Sequence, residues 1–310
     1  MFLTNVRPGG LSRSGLDYAS LHAINPKLVY CTLTGYGLEG PDADKPGFDV
    51  ASFWSRAGVG QLTVPKGQDP FALRTAFGDH TTSMAAAAGI CAALVKAQRT
   101  GEGQLVEASL LRAALFALGS DFAIQLFFGR IGSTKSRHEQ IQPLMNFFKT
   151  KDDSWICIVS RQGNVDWAPL CRVMERVDLI EDERYTTGKS RRANTAELVT
   201  LMDEEFGKYT KAELAERLDA EAIAWAPVQT LAEVAKDPQV KAAGGITQVP
   251  SASGDGSSFA SPASPIRFPG TDDGPKGASP RMGEHSSDVL ASIGYDEEKI
   301  KALYEAGVVV

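Results

Sequence analysis

The chain has 310 residues, of which 43% are hydrophobic and 23% charged, the composition of an ordinary folded protein long enough for two domains or one large one. A formal net charge of -6 and a pI near 5.4 exclude a phosphate-backbone binder, which needs surplus Lys and Arg to displace counterions. The four cysteines, Cys31, Cys91, Cys157 and Cys171, have neither metal-site nor redox-motif spacing and read as reduced and structural.

The N-terminus, Met1-Phe2-Leu3-Thr4-Asn5-Val6-Arg7-Pro8, lacks the basic and apolar regions of a secretory signal, so a cytoplasmic protein is expected. A short apolar run, a loop, a helix over 16–24 and a strand over 28–34 follow, the alternation of a helix-covered parallel sheet. An Ala-rich helix is predicted over 81–97, stopped by Thr100-Gly101-Glu102-Gly103, with a strand over 104–108 behind it. Residues 110–128 are apolar enough to suggest a membrane span, but Arg112, Ser120, Asp121 and Gln125 point to a buried helix instead.

Around 136–145 the chain turns polar. A strand over 155–159 opens a second region with amphipathic helices over 167–176, 195–208 and 211–219, then a strand over 222–228 and a short helix over 230–236. The Ser/Gly/Ala-rich stretch 250–265 separates two strand-like runs, 245–249 and 265–268, as a hairpin or loop. Two helices broken at Gly294 close the chain over 284–306.

Gly35-Tyr36-Gly37-Leu38-Glu39-Gly40 matches the dinucleotide fingerprint in letters alone. Pro41-Asp42-Ala43-Asp44-Lys45-Pro46 replaces the required helix, and no acid stands from Val50 to Gln68 to meet a ribose. His22, His80, His138 and His285 are scattered and no Cys/His cluster exists, so no metal is expected. Ser160-Arg161-Gln162-Gly163 and the other serines lack a nucleophile elbow.

Gly78-Asp79-His80-Thr81-Thr82-Ser83-Met84 sits where the Ala-rich helix begins. Asp79 or Thr81 reads as its N-cap. A carboxylate facing a helix N-terminus would also be held ionised, as a nucleophile for acyl transfer must be. His80 suggests an acid–base partner, although adjacent side chains in a capping segment usually point apart. Arg7, Arg13 and Lys45 lie in loops flanking the sheet, where each is either a solvated charge or a phosphate contact.

Taken in order, Asn5-Val6-Arg7-Pro8-Gly9, Gly15-Leu16-Asp17-Tyr18, Ile24-Asn25-Pro26-Lys27-Leu28-Val29-Tyr30, Thr34-Gly35-Tyr36-Gly37, Thr100-Gly101-Glu102-Gly103-Gln104, Pro227-Val228, Asp237-Pro238-Gln239 and Gly283-Glu284-His285 resemble class III CoA-transferases, the CaiB/BaiF family that includes formyl-CoA transferase and α-methylacyl-CoA racemase. The resemblance covers essentially the whole chain. It implies an acyl-CoA:carboxylate CoA-transferase in which Asp79 attacks the donor thioester, giving an aspartyl-acyl anhydride and then an aspartyl-CoA thioester. No tightly bound cofactor is implied, and the coenzyme A thioester is a substrate. By the same resemblance CoA contacts fall on Asn5, Val6, Arg7, Arg13, Lys45, Pro46, Gly47 and Phe48, and the partners are an acyl-CoA and a carboxylic acid acceptor.

The racemases of this family carry a histidine in a Gly-His-Asp segment. Gly47-Phe48-Asp49 stands there, and Phe cannot move a proton, so transfer is preferred over racemisation. The pattern departs from the family in two places. A further N-terminal block, holding the first strand and part of the CoA site, is expected ahead of Met1, which keeps a non-catalytic CoA-binding paralogue as an alternative. The glycine-rich loop of formyl-CoA transferase is absent between Arg137 and Phe147, which argues against formate and oxalate as substrates. The implied fold is α/β: a Rossmann-like parallel-sheet large domain from both ends of the chain (1–125 and 223–310), a small inserted α/β domain (140–222), and an interlocked homodimer.

Overall fold

The computed structural model describes every residue except Gln162 and Asp273, so one position of the Ser160–Gly163 stretch lies outside the described residues. Two compact units emerge, one formed by 1–146 with 160–205 and the other by 147–159 with 206–310.

The first unit is built on a three-stranded parallel sheet in the order β1 (Phe2–Thr4), β2 (Tyr30–Thr34), β3 (Leu105–Ser109). Tyr30 pairs with both Phe2 and Leu105, so β2 is the central strand, and its first three residues are buried. Helices α1 (Pro8–Arg13) and α2 (Tyr18–Ile24) connect β1 to β2. Pro8 opens α1 at the position where a missing N–H costs nothing. Asp17 caps α2 through the backbone N–H of Ser20. A wide, π-wound helix (Asp49–Arg56), α3 (Val59–Leu62) and α4 (Phe77–Thr100) link β2 to β3.

The 24-residue α4 extends a turn beyond each end of the predicted helix. It stops at Gly101, which adopts the left-handed conformation (φ +78°) that other residues resist, and whose N–H caps the carbonyl of Ala97. The helix buries Ala86 and Ile90 against Cys31 of β2 and Ala108 of β3. Phe53 and Trp54 of the π-wound helix pack with Val59, Leu110 and Ala114 in a second cluster. Removing a large side chain of this kind from water contributes about 1.5–3 kcal/mol each.

The apolar stretch over 110–128 corrects the sequence expectation of one buried helix. It forms α5 (Leu110–Ala117) and α6 (Gly119–Phe128), bent by 82° at Leu118. The bend leaves α6 with no buried residue and Phe127 82% exposed. Among the described residues no single helix is long and apolar enough to cross a membrane; the bent pair reaches that by length and composition alone. The same unit contains 160–205, where Trp167, Leu170, Cys171, Tyr185 and Leu198 are fully buried.

In the second unit, β4 (Asn146–Lys149), β5 (Trp155–Ile158) and β6 (Trp225–Val228) form a sheet in that order, with β5 and β6 antiparallel. Phe148 and Phe206 meet edge to face at 5.1 Å. Thr210 and Glu213 make a reciprocal capping box at the start of the helix Lys211–Ala220. The hairpin pairs β7 (Ile246–Pro250) with β8 (Ser258–Pro262). Its second strand therefore lies inside the stretch read as loop, and the apolar run over 265–268 is not a strand. Helices Ser286–Ser292 and Glu297–Glu305 end the chain.

Candidate active site

A cleft of about 640 Å³ opens in the first unit, at the C-terminal ends of β1 and β2, the edge of a parallel sheet where ligands usually bind. Thr4 and Asn5 follow β1, Thr34 and Gly35 end β2, and Lys45, Gly47 and Phe48 come from the loop before the π-wound helix. Leu110 begins α5, and Asp79, Thr82 and Ser83 lie along the first turns of α4.

Two backbone segments cross at the cleft wall with nothing between them. A Cβ added to Gly47 would stand 2.4 Å from the Cα of Gly35, and one added to Gly35 would stand 2.6 Å from the Cα of Gly47. Only glycine fits at either position. The loop 42–45 is also bound to the turn after β1. Gly9 N–H donates to Asp44 Oδ1 at 3.0 Å, and Arg7 Nη1 donates to the carbonyl of Asp44 at 3.2 Å. These contacts bring Arg7 and Lys45, distant in the chain, to one cleft.

The start of α4 differs from the capping expected at Asp79 or Thr81. Ala76 is the N-cap residue and has no side-chain capping bond. The free N–H groups of Gly78 and Asp79 both donate to Asp49 Oδ2, at 2.6 and 3.0 Å. A carboxylate from the π-wound helix thus caps the helix that carries Asp79. Thr81 Oγ1 instead donates back to the carbonyl of Phe77.

Asp79 is exposed at the cleft wall. Partial desolvation, reinforced by the Asp49 carboxylate and opposed by His80, holds its carboxyl above the ordinary value of 3.8. The helix N-terminus therefore does not dominate its acidity, because Asp49 already takes the donors that would have stabilised its charge. His80 does not line the cleft, while Thr82 and Ser83 do. Residues three and four apart share a helix face and an adjacent residue does not.

Of the CoA contacts implied by resemblance, the structure places Asn5, Arg7, Lys45, Gly47 and Phe48 on the cleft together with Asp79, and leaves Val6, Arg13 and Pro46 off its lining. Arg13 lies in the last turn of α1 and is exposed. Sequence reasoning missed Asp49 as the cap of α4, and missed Thr4, Thr34 and Ser83 in the lining. No spacing signal could have found Asp49, which lies 30 positions before Asp79 and reaches it only through the fold.

The family model for CoA-transferase family III matches residues 1–286. The chain belongs to CoA-transferase family III. It is 31% identical over 309 residues to (R)-2-hydroxy-4-methylpentanoate CoA-transferase of Clostridioides difficile, an alignment spanning 100% of this chain and 76% of that protein. It is 32% identical over 300 residues to succinate–glutarate CoA-transferase of Agrobacterium fabrum, covering 94% of this chain and 72% of the relative. A crystal structure of a CaiB/BaiF family protein from Brucella suis superposes with a TM-score of 0.81 at 28% identity, over 94% of this chain and 74% of that one.

This CoA-transferase accordingly has the α/β, parallel-sheet architecture of its family and acts on coenzyme A thioesters. Among the described residues no group of three His, Cys, Asp or Glu side chains is placed to share a metal ion.

Proposed function

We propose that this CoA-transferase moves CoA between an acyl-CoA donor and a carboxylic acid acceptor through covalent intermediates on Asp79. The observation that carries the reading is the shared cleft: the Asp79 carboxylate opens into the same space as Arg7 and Lys45, a nucleophile at one wall and two cations able to meet phosphate oxygens at another. Asp79 attacks the thioester carbonyl and CoA leaves as the thiolate, giving the aspartyl-acyl anhydride. The thiolate then attacks the aspartyl carbonyl and expels the first carboxylate, leaving an aspartyl-CoA thioester. The acceptor acid runs these steps in reverse. Each step exchanges one activated acyl group for another, so no ATP is consumed.

Asn5, Val6, Arg7, Arg13, Lys45, Pro46, Gly47 and Phe48 are proposed to hold CoA. Racemisation is disfavoured, since Phe48 on the cleft has no proton to exchange. The reading extends to a homodimer, supported by the uncovered apolar side chains of α6, to a cytoplasmic location, and to a large domain of 1–125 with 223–310 and a small domain of 140–222. The relatives named for branched 2-hydroxy acid and dicarboxylate transfer motivate both classes of acceptor in the assay.

The test is intact-protein and peptide mass spectrometry after incubation with a panel of acyl-CoA thioesters, with hydroxylamine trapping. A modification confined to Asp79, and lost in Asp79→Asn, is expected. A folded protein that forms no adduct with any donor would overturn the covalent mechanism and favour a non-catalytic CoA-binding role.

A further inference from the structure

A second cavity in the first unit, about 620 Å³, shares no lining residue with the cleft of Asp79, and its size is that of a small-molecule site. Arg161, Arg191 and Arg192 line it, and among the described residues no Asp or Glu does.

The three arginines differ in how their charge is met. Arg161 is neutralised by the buried Asp166, to which its Nε donates at 2.8 Å. Arg191 is only 2% exposed. Its Nη1 donates to the backbone carbonyl of Tyr185 at 2.6 Å, and its guanidinium lies 5.2 Å over the Trp167 ring. Among the described residues it forms no ion pair with any carboxylate, and burial pushes its pKa down. Arg192 donates Nε to the carbonyl of Ile141 at 3.1 Å and likewise makes no ion pair among the described residues.

A backbone carbonyl orients a guanidinium without cancelling its charge, and a buried charge is ordinarily paired. The lining also includes three apolar residues, Ile141, Pro143 and the buried Leu144.

We propose that this cavity is a receptor for a small organic carboxylate, its anionic end held by Arg191 and Arg192 and its aliphatic body lying against Ile141, Pro143 and Leu144. Two guanidinium groups fixed by carbonyls present forked donors suited to a carboxylate. The apolar part of the lining distinguishes an aliphatic acid from a bare inorganic anion. Nothing in this proposal depends on Asp79 or on the transfer mechanism.

Hydrogen–deuterium exchange of the full chain, with hexanoate, hexanol and inorganic phosphate as separate probes in the millimolar range, locates binding by peptide. Hexanoate is expected to slow exchange over 141–144 and 186–193, phosphate to do so far less, and hexanol not at all. Arg192→Gln changes an exposed side chain and should fold normally. It is expected to weaken the hexanoate effect about tenfold, the loss of one charge-assisted hydrogen bond. Arg191→Met is expected to abolish it. Protection by hexanol equal to that by hexanoate, by phosphate equal to that by hexanoate, or by hexanoate undiminished in Arg192→Gln would each overturn the proposal, as would no protection of these segments.

Discussion

Asp49 gives the Asp79 side chain two properties at once. By accepting the N–H groups of Gly78 and Asp79 it fixes the first turn of α4, and by its charge it helps to hold the Asp79 carboxyl above 3.8. A raised folded-state value means that folding favours the protonated form. The contribution of Asp79 to stability is then complete below pH 3.8 and is lost as pH rises through the folded value. Asp79→Asn is therefore expected to be neutral to stability in acid and to stabilise the fold near pH 7. The gain should be about 0.2–1 kcal/mol, the scale of charge interactions at a solvent-exposed position, read from urea midpoints across pH. A loss of stability at neutral pH would mean that the carboxylate carries a structural bond. The sequence placed Asp79 at the head of the helix correctly, because Gly-Asp before an Ala-rich run is a local signal. The partner that caps that helix is 30 residues away, and no local pattern encodes it.

At the scale of elements, the junction of the β2 loop with the loop before the π-wound helix is the least forgiving point of the cleft. Gly47→Ala drives a Cβ to 2.4 Å from the Cα of Gly35, backbone against backbone, where no side-chain rotation relieves the overlap. The cost is expected to exceed about 3 kcal/mol, above the usual range for overpacking, seen as a large fall in Tm or loss of soluble protein. Gly119→Ala is the matching control. Its added Cβ meets nothing within 4 Å, and a gain of about 0.4–1 kcal/mol is expected from the reduced freedom of the unfolded chain. The parallel strands and α4 were legible because their periodicity and punctuation are local. The bend between α5 and α6 was not: Gly119-Ser120-Asp121 interrupts the apolar run just after Leu118, but three residues fit equally well as the polar face of one helix and say nothing about direction. In the C-terminal hairpin, Ser258-Phe259-Ala260-Ser261-Pro262 is too polar to announce a strand, and pairing with β7 decides it.

For the whole molecule, the proposed homodimer can be checked through α6. Phe127 and Phe128 are 82% and 66% exposed, and adjacent aromatic rings of that exposure are characteristic of surfaces that meet a partner. Light scattering coupled to size exclusion is expected to give twice the chain mass of 33.2 kDa, and Phe127→Asp with Phe128→Asp is expected to give the single-chain mass. A wild-type protein that stays monomeric would end the dimer reading. The strand order carries one further consequence, which concerns biosynthesis. The central strand, β2, cannot acquire its β3 neighbour until Leu105, about 75 positions later in the chain, has emerged from the ribosome. At translation rates of about 5–20 residues per second, the β2 edge, including residues as apolar as Tyr30 and Cys31, waits about 4–15 s unpaired. During that interval it is a template for association with other nascent chains. Yield of soluble protein is therefore expected to respond to chaperone capacity and synthesis rate as well as to the stability of the finished fold.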